Sequence, residues 1–115
     1  KTTQVDWVSG CALFCSKSIW EKLGGFCESY FLYVEDVDLG RRAKEHNIPV
    51  LFYPTIKVVH EIGGSSVSRP IFSDYHHHKG MLIYFFKWSG VFWKIFFPIV
   101  FLGVLLRFLM RRIYR

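Results

Sequence analysis

Residues 5–14, "VDWVSGCALF", alternate loosely between apolar and polar positions and are rich in β-formers. They predict a strand interrupted at Ser9-Gly10, where glycine permits a bend or a close backbone approach by a ligand. The period then changes. Ile19, Trp20 and Leu23 recur at helical spacing behind Ser16, a side chain suited to capping a helix start, and Gly24-Gly25 ends that helix. An aromatic run over residues 26–33 leads into a second helical pattern over residues 36–46. Its first turn carries acids, Arg41, Arg42 and Lys44 follow, and Asn47 is a left-handed stop beyond which Pro49 forbids continuation. Residues 50–53 and 56–59 are short β-rich runs parted by Pro54, and "EIGGSSVSRP" after His60 reads as a flexible link. Strand, helix, helix and strand with short connections predict an α/β layer.

From Tyr75 onward the chain is apolar with spaced positive charges. Its longest uncharged run, residues 95–106, is twelve residues long, short of the ~20 that a spanning helix needs. Ten of the twelve are Ile, Leu, Val or Phe, and at about −0.3 to −0.6 kcal/mol each they favour insertion by about −3 to −6 kcal/mol. Lys94 and Arg107 flank the run and can snorkel. Insertion, shallow interfacial anchoring and docking as a core helix all fit this pattern. We divide the chain at residue 80, with a domain over 1–79 and a membrane-associating helical tail over 80–115. Arg107, Arg111, Arg112 and Arg115 place that end on the cytoplasmic face of a membrane.

At 115 residues there is room for one domain with a modest core. The chain opens at Lys1 with neither an initiator Met nor a signal-peptide pattern, so it reads as a piece of a longer protein. The net charge of +6 is uneven: residues 1–74 hold 8 Lys/Arg against 9 Asp/Glu, a balance of −1, whereas residues 75–115 hold 7 Lys/Arg and no acid. A basic tail interleaved with Phe, Ile and Leu suits a membrane surface and not nucleic acid. Cys11, Cys15 and Cys27 form neither an even set nor a metal-ligand spacing, which points to a reducing compartment and small buried thiols.

Chemistry concentrates in "FLYVEDVDLGRR", residues 31–42, where Glu35, Asp36 and Asp38 fall within four positions. Like charges this close raise at least one pKa. At a helix mouth such a cluster is either a solvated, dipole-favoured start or the setting of a general base, worth ~10²–10⁴-fold. A calcium loop is excluded: counting from Asp36, position 12 is Asn47 where a Glu is required, and position 6 is Arg41 where a Gly is required. His60 closes the run "TIKVV" and is either a hydrogen-bonded surface residue or a metal ligand. His76, His77 and His78 are consecutive, face different directions in any regular element, and read as a solvated loop.

Taken in order, "WVSG", "LGGF", "FLYVEDVDLGRR" and "VVH" resemble the C-terminal half of a family 2 glycosyltransferase, the branch with bacterial rhamnosyl- and galactofuranosyltransferases. The resemblance covers residues 5–66. It implies a GT-A fold and inverting transfer of a sugar from a nucleotide-diphosphate sugar to a saccharide or lipid-linked acceptor. It also implies that Asp36 is the catalytic base, that Glu35 and Asp38 support it, and that His60 helps hold a divalent metal, Mg or Mn. Trp7, Ser9 and Gly10 would sit near the sugar cleft, and Gly63 and Gly64 in a loop able to close over the diphosphate with Arg69 or Lys79. Cys27 departs from the family, where an Asp is common after "GGF". Asp36-Val37-Asp38 has the Asp-x-Asp spacing but belongs to the base motif, and the metal motif of the nucleotide-binding half is not otherwise found in residues 1–115, so this piece alone is expected to be inactive. The competing reading is a non-catalytic, membrane-associated interaction module with the same fold.

Overall fold

The computed structural model describes residues 1–60 and 69–113. The chain forms two compact units, one of Lys1–Glu28 with Glu35–Gly63 and one of Ser29–Val34 with Gly64–Arg115.

In the first unit, strand β1 (Thr3–Val5) pairs antiparallel with β2 (Val50–Phe52), with Gln4 opposite Leu51 and Val5 opposite Val50. The expected strand over residues 5–14 is thus confined to its first residue. Beyond Val5 the backbone finds no strand partner among the described residues, and Ser9 instead caps a 3-10 turn over Gly10–Ala12. Helix α1 (Lys17–Leu23) begins where Ser16 Oγ accepts a hydrogen bond from the Ile19 amide at 3.3 Å, filling one of the orphan donors of a helix start. It ends on Gly24 and Gly25, both at positive φ, with the Gly25 amide donating to the Trp20 carbonyl. Helix α2 (Glu35–Glu45) stops at Asn47, whose φ of 55° is left-handed as expected, and the Ile48 amide returns to the Ala43 carbonyl.

Leu23, Leu39 and Ala43 form the core between α1 and α2, with Leu13, Ile19, Trp20, Ile48 and Val50 packed against it. Two short strands with helices packed nearby are a reduced form of the α/β layer that the pattern predicted; the described residues are mostly helical. Residues 56–59 form no strand. The chain turns after Tyr53, the Ile56 amide donating to the Tyr53 carbonyl, and the residues that follow are exposed.

The second unit is helical: α3 (Pro70–Trp88), α4 (Val91–Lys94) and α5 (Phe97–Ile113), with α3 packed on α5. Pro70 stands in the first turn of α3, where its missing N–H costs nothing. The helix starts ahead of residue 80 and takes in the three histidines, which correct the loop expected there. His76 packs edge-on to Phe72 and tilted against Phe31, and His77 lies near Tyr33. His78 is 4 % exposed, so the residues that look solvated by type are packed on the helix by context. Ser29–Val34, which includes the later part of the aromatic run, belongs to this unit: a Cβ added to Gly80 would meet Val34 Cγ2 at 3.0 Å.

Candidate functional site

The site is built on the first turn of α2. Asp36 is half-buried there, and its two carboxylate oxygens have separate donors: Oδ1 accepts from the Val37 amide at 2.8 Å and Oδ2 from the Gly10 amide at 2.9 Å. Gly10 and Asp36 lie 26 positions apart, and this bond joins "WVSG" to "EDVD" directly. Ser9 shapes the loop that presents the donor, its Oγ accepting from the Cys11 amide at 3.4 Å. A Cβ on Gly10 would reach only ordinary contact with Asp36 Cβ and the Phe26 ring, both at 3.7 Å, so the approach of the two segments does not itself require glycine.

Glu35 is partly exposed, yet its Oε2 is buried and has no hydrogen-bond partner among the described residues. Burial pushes its carboxyl above the usual glutamate range. A hydrogen bond from its own backbone amide opposes that shift, and the Asp36 charge adds to it. Crowding of like charges therefore acts as expected, but desolvation is the larger cause.

Asp38 is fully buried, at 0 % exposure, and pairs with Arg42 one turn on, the Arg42 Nε donating to its Oδ2 at 2.9 Å. The other ends of the same guanidinium donate to the Leu23 carbonyl and, at 2.6 Å, to the Gly25 carbonyl. Arg42 thus closes the end of α1 onto α2, satisfying carbonyls that the helix terminus leaves open. Asp38 is held in this clamp by helix packing and hydrogen bonding and has no solvent-facing oxygen.

Trp7 is 46 % exposed, an available apolar face. Its backbone and Cβ lie directly on Gly40: a Cβ there would come within 2.5 Å of the Asp6 carbonyl oxygen and 2.7 Å of Trp7 Cβ. Neither Gly40 nor Arg42 was singled out from the pattern. The available signals were a glycine inside a helical run, which marks a close approach, and the Asp38/Arg42 spacing of four, which puts acid and base on one helix face. A hollow of about 690 Å³ lies on this unit, lined by Gln4, Asp6, Gly40, Lys44 and Pro49 among others, but not by Asp36 or Trp7.

His60 is exposed. Among the described residues no group of three or more His, Cys, Asp and Glu side chains is placed to hold a metal ion, so these residues do not by themselves make up a metal site. Gly63 and Gly64 lie outside the described residues. Arg69 precedes α3 and is exposed, as is Lys79 on that helix.

Over 90 residues, 78 % of this chain, the sequence is 33 % identical to the N-acetylglucosaminyl-diphospho-decaprenol L-rhamnosyltransferase of Mycobacterium tuberculosis, in each of two strains. It is 31 % identical over 58 residues, half of the chain, to rhamnosyltransferase WbbL of Escherichia coli. The chain spans 29 % of the length of the mycobacterial relatives and 22 % of that of the Escherichia coli protein. No family model and no solved structure matches it. Along most of its length this chain is homologous to part of the rhamnosyltransferases of glycosyltransferase family 2.

Proposed function

We propose that the chain supplies the acceptor-side half of an inverting, GT-A-fold glycosyltransferase, with Asp36 as general base. In the longer protein it would transfer L-rhamnose from a nucleotide-diphosphate sugar to a diphospho-polyprenol-linked amino sugar, the reaction type carried in the name of the mycobacterial relatives. The observation that supports it most is the Gly10 amide bonded to Asp36 Oδ2, because it locks the carboxylate of one motif against the backbone of another.

A base must hold one oxygen in register with the acceptor hydroxyl. Two amide donors on separate oxygens fix the carboxylate's rotation, and each oxygen retains a lone pair. Asp36 would take the proton as the acceptor oxygen attacks the anomeric carbon from the face opposite the departing diphosphate, and that approach inverts the centre. Glu35, in its desolvated setting, would face the acceptor or the adjoining loop, and Trp7 would offer its ring face to the sugar. A divalent ion, Mg or Mn, would take His60 from the described residues and its other donors from outside them; bound, it would neutralise charge on the leaving diphosphate. Gly63 and Gly64, with Arg69 or Lys79, would close over that diphosphate. The basic, apolar second unit would hold the enzyme on the cytoplasmic face of the membrane, where a polyprenol-linked acceptor resides.

In the full-length protein, Asp36→Asn removes the base and keeps one of the two amide contacts, because only one of the Asn side-chain atoms can accept from a backbone N–H. Turnover should fall by roughly 10²–10⁴-fold, while donor binding, read by calorimetry, stays within about twofold. Turnover near the wild-type rate rejects the role of Asp36.

A further inference from the structure

Among the described residues, the second unit leaves a broad apolar face without protein cover. On α5, successive positions turn by 100°. Phe97, Val100, Val104 and Phe108 then share one side, and these are the partly buried residues of the helix, the side turned toward α3. Ile99, Leu102, Leu106, Leu109, Met110 and Ile113 share the other, each roughly half exposed or more. With Phe101 and Leu105 this face covers about half of the helix circumference. Arg107 lies beyond it on one side, and Arg112 stands at its other margin between Phe101 and Leu105, both exposed. The Asp74–Arg111 ion pair at 2.6 Å ties the last turns of α5 to α3, which sets the roll of the helix and keeps the apolar face outward. Just ahead of α5, Phe92 and Trp93 on α4 are also well exposed, with Lys94 beside them.

Charge and length select the occupant. No acid occurs after Asp74 and 7 Lys/Arg do, so a polyanionic surface is matched and a second copy of the same face is repelled. At 17 residues α5 is about 26 Å long, less than the ~30 Å of a bilayer's hydrocarbon core. No helix of the described residues is long and apolar enough to cross a membrane. A wide apolar face flanked by Arg, with Trp near one end, is the build of a helix lying in the plane of the interface.

We infer that α4 and α5 form an in-plane anchor for bilayers containing anionic lipid, α5 lying parallel to the surface with Ile99, Leu102, Leu106 and Leu109 inward and Lys94, Arg107 and Arg112 at headgroup level. The inference rests on the membrane attachment proposed above and is independent of the sugar chemistry.

Co-sedimentation of the full-length protein with phosphatidylglycerol-containing vesicles and with pure phosphatidylcholine vesicles at 0.15 M salt (about an 8 Å screening length) tests it. Binding should be strong only to the anionic vesicles. Arg107→Gln with Arg112→Gln should weaken that binding by roughly thirtyfold, about fivefold per charge removed. Leu102→Glu with Leu109→Glu, both on exposed positions, should abolish it with the helical circular dichroism unchanged. Brominated lipids should quench Trp93, read as the difference from Trp93→Phe, most strongly with bromines near the headgroups. Equal binding to neutral vesicles overturns the anionic preference but leaves membrane attachment standing; no binding to either overturns both. Strongest quenching from bromines at the bilayer centre overturns the in-plane placement.

Discussion

Replacing Gly40 by Ala pits two opposed effects against each other at one position. Alanine is the better helix former by about 0.8–1.0 kcal/mol, so on propensity alone the substitution stabilises α2. The structure places the new methyl 2.5 Å from the Asp6 carbonyl oxygen, 2.7 Å from Trp7 Cβ and 3.0 Å from Trp7 Cα. Two of these atoms are backbone, and that backbone is held by the β1–β2 pairing just before it and by the Lys44–Asp6 ion pair. It cannot swing aside as a side-chain tip would. Overpacking costs about 1–3 kcal/mol, and with backbone opposed the upper end applies, leaving a net loss of about 2 kcal/mol. Hydrogen exchange read by mass spectrometry resolves α2 from the rest of the chain, and this loss corresponds to roughly thirtyfold weaker protection of its amides. Gly103→Ala is the matched control. Nothing lies within 4 Å of its Cβ on α5, so there the propensity term acts alone and protection rises by about fivefold. Gly40→Ala with α2 protection equal to or above wild type would refute the close approach of the Asp6–Trp7 backbone.

Arg42→Lys keeps the charge but cannot serve Asp38 and the carbonyls of Leu23 and Gly25 together. Arg42 is 14 % exposed and Asp38 0 %, so the carbonyls left without a donor should cost about 1–3 kcal/mol, read as a fall in urea midpoint; a loss under about 1 kcal/mol would sink the clamp. Glu35→Gln should alter the pH dependence of stability in a defined direction. Because the folded Glu35 pKa is raised from 4.5, the folded state binds the extra proton, and wild-type stability falls as pH climbs from near 4.5 through the folded value. The variant lacks that slope, so the wild-type-minus-variant difference should decline across this window and be flat below it. A difference that rises with pH contradicts the desolvated setting.

Much of the first unit was legible because its signals are local. Ser16 as a cap, Gly24-Gly25 as a stop and Asn47 in the left-handed region act within one turn of where they stand, and each is found as expected. The acids of "EDVD" announced a helix start for the same reason. Residues 5–14 and 56–59 misled because a strand exists only where another strand accepts its hydrogen bonds, and composition cannot supply that partner. The histidines misled in the opposite sense: polar by type, they are packed by Phe31, Phe72 and Phe108, the first of them more than forty positions away in the chain.

By itself, then, the amino-acid order determined the limits of α1 and α2, the charge asymmetry and the family resemblance, all properties of neighbours along the chain or of residue type. Only the tertiary structure decided that the Gly10 amide meets Asp36, that Arg42 bridges Asp38 to the end of α1, and that Gly40 must be glycine. Each of the three depends on segments far apart in sequence arriving within a few ångströms, and at that range sterics and hydrogen-bond geometry discriminate where residue pattern does not.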